Sequence, residues 1–309
     1  MKIPYKKLIG ISLIITICYF LGAAFYKEWD NLSQYNWSLR PVWLISSILT
    51  LFLAYVFYGI GWTLILQMIG VKIGRTKGTI IFLLSIFGRY VPGGIWSALG
   101  RLYLCRLEGI PDSKSGISIL LEQAYPVVSA GFVFVISLLF WTKADLMVKV
   151  FPLVFILPVF VIFLHPKPFL KIVNPVLAWV GRKPINISLS FKNMLFLTCY
   201  YFFYWIITGI AFYFFINAFY PLELSYIPIL TGVFAISFTA GYLAFITPAG
   251  LGVREGLLSI LLSQFLPTSV AIGLSLLSRL WFIGLEIIIL MVFLVNPKTR
   301  KMTKNAIGW

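Results

Sequence analysis

Arginine and glutamate side chains within apolar sequence are the residues of this chain that could bind a charged ligand. Charged side chains are costly inside a bilayer, so they usually face a cavity or a partner. Arginine stays protonated and binds phosphate through a planar fork of N–H donors. The candidates for binding an anionic ligand are Arg89, Arg101, Arg254 and Arg279, together with Glu122 and Glu255.

Two segments with proline and glycine interrupt the apolar sequence beside these arginines. They are GRYVPGGIWSALGR at residues 88–101 and FITPAGLGVRE at residues 245–255. Broken backbone at membrane depth is tolerated only where protein or a water-filled cavity covers it. The N–H groups at the start of each following half-helix can also bind an anion. We predict that both breaks contribute to one site, and the predicted hinge residues are Pro92, Gly93, Gly94, Pro248, Gly250 and Gly252.

The composition is that of an integral membrane protein. Of 309 residues, 61% are hydrophobic and 11% are charged, whereas a soluble domain carries about 25% charged residues. The net charge of +16 comes from 25 Lys and Arg against 9 Asp and Glu. Basic residues gather in cytoplasmic loops, and the sequence contains no recognised nucleic-acid motif. We therefore predict one all-α, polytopic transmembrane domain over residues 1–309, with no nucleic-acid partner.

The charge pattern predicts six full spans and two re-entrant hairpins. The spans cover residues 8–25, 41–68, 115–141, 150–164, 194–219 and 269–295. The broken region at 79–107 has arms of about 15 residues that reach about 22 Å, less than a hydrocarbon core of about 30 Å. We expect it to enter from the cytoplasm, and the second broken region, 226–265, to enter from the opposite side.

Lysine and arginine also predict the orientation. Both termini and the loop at 165–192 are basic, which places them on the cytoplasmic side of the cytoplasmic membrane. Pro92 and Pro248 each follow two complete spans and are each followed by glycine and then arginine. This pattern suggests inverted halves, 1–141 and 150–295, an arrangement that places a site near the midplane in transporters.

The pairing of the buried charges has alternative interpretations. Arg254 and Glu255 point about 100° apart on a helix, so they are not expected to pair with each other. Structural ion pairs could join Glu122 to Arg279 or Glu255 to Arg101. Alternatively, one carboxylate could titrate and couple proton movement to transport. Glu286 adds a third acid in the last span, but the acids remain fewer than the arginines, so positive charge should be left over.

No residue pattern indicates catalysis, a metal site or a cofactor. Cys18, Cys105 and Cys199 are scattered singly, and the only histidine, His165, lies at a span end. The sequence contains no P-loop and no HExxH motif. We therefore expect a protein that is not an enzyme.

The two interrupted segments resemble motifs of a known family. PAGLGVRE at residues 248–255 resembles the PGGLGVRE signature of the lysylphosphatidylglycerol synthase transmembrane-region family, which is flippase-like. Residues 88–101 are similar to its KY-PG-iWs-lGR segment, in the form of members associated with bacterial surface-polysaccharide synthesis. The family includes the flippase half of synthases that aminoacylate phosphatidylglycerol. No soluble transferase domain is evident in this sequence, so the resemblance implies lipid handling without lipid modification.

Three functions are consistent with these features. The first is a flippase or transporter for a phospholipid or a polyprenyl-phosphate-linked glycan, with the phosphate held by the arginines. The second is a scaffold, without transport, for glycan-assembly enzymes as partners. The third is a lipid-modifying membrane enzyme, which the lack of a catalytic motif disfavours. In each case the expected partner is a membrane lipid with an anionic head group.

Overall fold

The structure is a computed structural model that describes residues 37–90, 95–141, 189–244 and 252–295, with residues 26, 171, 175 and 250. This part of the chain is helical and contains no strand. The predicted all-α class is therefore confirmed for the described residues.

Eight α-helices follow one another in these ranges. The long ones are apolar on all sides, which is typical of helices buried in protein or lipid. In chain order they are α1 (Pro41–Met68), α2 (Arg75–Ser85), α3 (Trp96–Leu107), α4 (Asp112–Leu138), α5 (Phe191–Asn217), α6 (Ile227–Leu243), α7 (Val253–Leu262) and α8 (Thr268–Val295). A 3₁₀ turn, Ile86–Tyr90, follows α2, and another, Leu224–Tyr226, precedes α6.

Five helical stretches in the described ranges are long and apolar enough to cross a membrane. Four of them, α1, α4, α5 and α8, coincide with predicted spans, and the fifth is Leu224–Leu243, which contains α6. The chain is a multi-pass membrane protein, as the composition predicts. The predicted spans at residues 8–25 and 150–164 lie outside the described residues.

Helix α5 forms the centre of the bundle. It packs against α1, α4 and α6, and its side chains Tyr201, Phe212 and Phe215 are fully buried. The indole N–H of Trp205 donates to the carbonyl of Pro126 on α4 at 2.8 Å. The aromatic residues of α5 thus fill the space between the helices that carry the candidate charges.

Each predicted break separates two helices that pack against each other, α2 with α3 and α6 with α7. A Cβ on Gly88 would lie 2.5 Å from the backbone nitrogen of Ser97, and a Cβ on Gly241 would lie 2.6 Å from Cβ of Arg254. Glycine is therefore required at both crossings. The hinge candidates Pro92, Gly93, Gly94 and Pro248 lie outside the described residues.

The beginning and end of each broken region meet at one end of the bundle. Lys77 near the start of α2 forms an ion pair with Glu108, just after α3. Tyr226 before α6 and Phe265 after α7 have ring centroids 6.1 Å apart. In each region the described residues at its beginning and at its end are therefore close to each other.

Helix α1 shows that these two ends are opposite. Gly70, just after α1, accepts a hydrogen bond from Nζ of Lys114 at 3.0 Å, at the end that holds Glu108. Arg40, just before α1, donates its backbone N–H to the carbonyl of Ala218 at 2.8 Å, at the end that holds Tyr226. The first broken region thus opens to one end of α1 and the second to the other.

The second broken region differs in length from the first. Leu224–Leu243 covers 20 residues and could cross a membrane by length and composition, unlike the short arms expected for the first region. Helix α7 has 10 residues and is about 15 Å long. The count of six full spans therefore stays a prediction.

The crossing of α6 with the segment before α7 can be tested at Gly250. Its φ is +69°, and a Cβ there would lie 2.4 Å from the Gly241 carbonyl oxygen. Left-handed backbone costs a residue with a side chain about 1–2 kcal/mol, and the collision adds to this. We expect Gly250→Ala to lower the midpoint of thermal unfolding in detergent.

A matched control exists within α7. A Cβ on Gly256 meets nothing within 4 Å, and alanine favours a helix by about 1 kcal/mol over glycine. Gly256→Ala should therefore unfold at the wild-type midpoint or above it. If Gly250→Ala unfolds at the wild-type midpoint as well, the close crossing is wrong.

Candidate functional site

Arg101 and Glu122 form a buried ion pair between α3 and α4. Their exposed fractions are 3% and 2%, and Nη1 of Arg101 lies 2.8 Å from Oε2 of Glu122. Arg101 lies on the buried face of α3 with Leu104 and Cys105, so the packing of that face places the charge inside. Its Nε donates to Oγ of Ser85 at 3.0 Å, which connects α3 to α2 as well.

Further donors surround the Glu122 carboxylate. The hydroxyl of Tyr58 on α1 donates to Oε1, and the amide of Gln123 donates to Oε2 at 3.1 Å. Pro126 has no N–H for the Glu122 carbonyl, and the Tyr58 hydroxyl lies 3.4 Å from that oxygen. The Tyr242 hydroxyl near the second break donates to Oε1 of Gln123. These contacts supply the partners that a buried charge needs.

A second buried ion pair joins α7 to α8. Nη1 of Arg279 lies 2.6 Å from Oε1 of Glu255, and both side chains are more than nine-tenths buried. Oε2 of Glu255 accepts from the backbone N–H of Gly252 at 2.9 Å. Gly252 has φ +85° and begins the helix, so this hinge candidate lies directly beside the charged site. A carboxylate in the first turn also suits the helix dipole.

A third ion pair lies nearer the surface. Nη1 of Arg89, in the 3₁₀ turn after α2, is 3.1 Å from Oε1 of Glu286 on α8. Glu286 is 1% exposed and also accepts from the hydroxyl of Tyr55 on α1. The unexpected acid in the last span therefore holds three elements together.

Arg254 differs from these three arginines because no carboxylate in the described ranges lies within 4 Å of it. It is 8% exposed. Its Nη2 donates to Oγ of Ser278 at 3.3 Å, and its Nε has no hydrogen-bond partner there. The carboxylate of neighbouring Glu255 is bonded to Arg279 instead. Three rings lie 4.8–5.4 Å from the guanidinium, those of Phe234, Phe238 and Phe282.

The aromatic rings do not replace an anion at Arg254. Ring faces attract a cation by about 0.5–2 kcal/mol each, but they neither neutralise its charge nor accept its in-plane N–H groups. A guanidinium has five N–H donors, and Ser278 accepts from one atom of it. Within the described ranges, the site therefore holds a positive charge without a carboxylate and an N–H donor without an acceptor, which an anion with several oxygens could satisfy.

The pairs in the structure differ from those named from the sequence. Glu122 pairs with Arg101 rather than Arg279, and Glu255 pairs with Arg279 rather than Arg101. Each pair joins the short helix after a break to the long helix that follows it, because those helices are neighbours in space. As expected, Arg254 and Glu255 do not pair with each other.

The candidate charges lie in three ion pairs and at Arg254. A continuous series of ring contacts, none longer than 5.8 Å, connects Arg101 to Arg254, and its members are Phe82, Tyr58, Tyr204, Trp205 and Phe238. A cavity of about 280 Å³ between α1, α2 and α8 is lined by none of the candidates. That both breaks contribute to one site therefore stays a prediction.

The sequence analysis missed the aromatic and hydroxyl partners of these charges. One signal was present, since Tyr55 and Tyr58 are three residues apart and Phe234 and Phe238 are four apart, so each pair shares a helix face. However, aromatic residues make up 17% of the chain. Pairs with this spacing are therefore too common to identify a site.

Comparison with known proteins agrees with the family resemblance of the two interrupted segments. The model of a family described as "Lysylphosphatidylglycerol synthase TM region" matches residues 7–289. The chain belongs to this family. The matched residues include both breaks and all the candidate residues. None of the curated proteins compared with the chain matches it.

In this family member, the PAGLGVRE motif supplies two charges with different environments. Glu255 is held by Arg279 and by the Gly252 N–H, so it has a structural role in joining α7 to α8. Arg254 has no such carboxylate in the described part of the chain. Adjacent positions of one motif thus hold an acid in a structural ion pair and an arginine with no carboxylate within 4 Å among the described residues.

Arg101 and Arg254 should respond differently when the charge is removed. Arg101→Met leaves Glu122 buried without its cation, and breaking a buried pair costs about 3–5 kcal/mol. Arg254→Met leaves no carboxylate without its partner. We expect a large fall in the thermal unfolding midpoint in detergent for Arg101→Met and little change for Arg254→Met. A similar fall in both would show that Arg254 is also a structural residue.

Proposed function

We propose that this protein transports a membrane lipid across the bilayer and that Arg254 binds the phosphate of the lipid head group. The observation that carries the proposal is the buried guanidinium of Arg254, which has no carboxylate partner in the described ranges, whereas Arg89, Arg101 and Arg279 each have one. A lipid phosphate is the anion that a membrane supplies, and arginine binds it through two parallel N–H bonds.

The position of Arg254 in α7 supports an anion as its ligand. Arg254 is the second residue of the helix, where backbone N–H groups and the helix dipole favour negative charge. The competing negative charge, Glu255, is engaged by Arg279 and Gly252. A phosphate near the start of α7 would therefore meet a guanidinium and N–H groups.

Family membership supports a lipid substrate. The candidates are a phospholipid or a polyprenyl-phosphate-linked glycan, which share the phosphate that Arg254 would bind. The sequence has no P-loop and no HExxH motif, so we propose transport, downhill or ion-coupled, without a chemical change to the lipid. The alternative function is a scaffold for glycan-assembly enzymes, but a scaffold would not explain the environment of Arg254.

We also propose that the two broken regions re-enter the cytoplasmic membrane from opposite sides. The support is that each region begins and ends at one end of the bundle, marked by the Lys77–Glu108 pair for the first and the Tyr226–Phe265 contact for the second. The first of these ends carries Lys72 and Arg75, so the positive-inside rule places it in the cytoplasm. Both termini and the loop at 165–192 would lie on that side.

Arg254 variants in liposomes test the transport site. Purified protein is reconstituted in liposomes that contain a fluorescent phospholipid. The assay measures how fast this lipid leaves the outer leaflet, where dithionite can reach it, for the inner leaflet. Arg254→Lys keeps the charge but loses the planar fork, so transport should fall. Arg254→Met should lower the rate by about tenfold or more, since a hydrogen bond to a charged group contributes about 1.5–3 kcal/mol. Arg106→Met, on the exposed end of α3, is the control and should leave transport unchanged.

The same assay separates the alternatives. Transport at the wild-type rate by a folded Arg254→Met variant would contradict the phosphate site. Chemical conversion of the lipid would indicate an enzyme. Neither transport nor conversion by the wild-type protein would favour the scaffold.

The orientation is tested by cysteine labelling of intact cells, with the native cysteines replaced. We expect Lys183→Cys, in the basic loop, to resist an impermeant maleimide added outside. Ser225→Cys, at the opposite end in the turn before α6, should react. The reverse pattern would show that the topology is inverted.

A further inference from the structure

A groove on the outer face of α1, α2 and α8 has the form of a binding site for one lipid. Its volume is about 280 Å³, close to the lower limit of about 300 Å³ for ligand pockets. The walls are almost entirely apolar, with Val56 and Ile60 from α1, Leu83 from α2 and Ile289 from α8. Val292, which also lines the groove, is exposed, so the groove is open along one side.

The charged and hydroxyl groups of the groove are gathered at one end. Arg75 is the first residue of α2, and Thr76 and Thr79 follow it within about one turn, while Leu83 lies deeper. Arg75 is exposed, and none of the described carboxylates lies within 4 Å of it. Glu108, in the loop at the same end of the bundle, is paired with Lys77. The mouth of the groove therefore carries a positive charge.

Thr76 adds a hydroxyl group between the charge and the apolar part. It lines the groove and is exposed, so its hydroxyl can donate to an acceptor on a bound molecule. Thr79 also lines the groove, but its hydroxyl oxygen is buried and does not reach the groove.

We infer that the groove binds one acyl chain of an anionic phospholipid, with the phosphate on Arg75 and the ester region beside Thr76. The order of groups along α2 is cation, hydroxyl and then apolar wall, which matches the order of phosphate, ester and acyl chain in such a lipid. From Arg75 to Leu83 the helix rises about 12 Å, enough to hold part of a chain. The guanidinium can bind a phosphate through two N–H bonds.

This site is separate from the proposed transport site. The groove residues are not among the ring, hydroxyl or charged partners of Arg254. Helix α8 contributes one wall of the groove and α1 and α2 the others, so a bound lipid would fill the space between α8 and the other two helices. The inference goes beyond transport, and its test does not depend on whether the protein moves lipid.

Photocrosslinking in nanodiscs tests this inference with two probes that share a diazirine acyl chain. One probe is phosphatidylglycerol, which has a net negative charge, and the other is phosphatidylcholine, which is zwitterionic. We expect phosphatidylglycerol to label peptides from the groove faces of α1 and α8 more strongly. Arg75→Gln should reduce that labelling about fivefold, the contribution of one interfacial basic residue. Lys72→Gln, which removes the same charge from the adjoining loop but lies outside the groove, should have little effect.

A second pair of variants tests the apolar part of the groove. Ile60→Trp fills it and should abolish labelling of these peptides by both probes. Ile260→Trp, at an exposed position on α7, is the matched control and should leave labelling unchanged. Equal labelling by both probes, or equal effects of Arg75→Gln and Lys72→Gln, would overturn the anionic head-group site. No labelling of these faces in the wild-type protein would show that something other than lipid covers the groove.

Discussion

Charge balance inside an apolar bundle is the constraint on which the rest of the structure depends. An unpaired buried ion costs several kcal/mol, so each acid in the described core determines which helices can be neighbours. Glu122 fixes α3 against α4, Glu255 fixes α7 against α8, and Glu286 holds the turn after α2 against α8. Tyrosines on α1 donate to two of these acids. Since α1 also packs against the central α5, the ion pairs and the aromatic core position the same helices.

The aromatic core also determines how strongly these charges act. Tyr204 and Trp205 of α5 lie in the series of rings between the Arg101 pair and Arg254. Buried rings exclude water, and Coulomb interactions are much stronger in such surroundings than in bulk water. An anion that reaches Arg254 would therefore meet a weakly screened charge. Salt in solution should screen it far less than it screens an exposed arginine such as Arg106.

The sequence was sufficient for the features that depend on local pattern. Long apolar runs predicted α1, α4, α5 and α8, and the glycines and prolines predicted the two breaks. The ion-pair partners required knowledge of which helices are neighbours, and a single sequence does not contain it. The pairing of Glu122 with Arg279 was wrong for this reason. The length of α6 was not predicted, because the hairpin interpretation of the second broken region came from the charge pattern, and Leu224–Leu243 has no charged residue.

Each broken region contains an ion pair between a short helix and a long helix, but the positions of the cation and the acid are exchanged. This difference places the proposed site at one break only. In the first, the short helix carries the cation and the long helix the acid, while in the second the short helix carries the acid. Each break has one further arginine beside it. Arg89, before the first break, is neutralised by Glu286 from the last helix, whereas Arg254, after the second break, has no acid among the described residues. A symmetric pair of breaks would offer an anion two equal positions. Among the described residues, the charges at the first break are balanced and those at the second are not, so the proposed phosphate site lies at the second break.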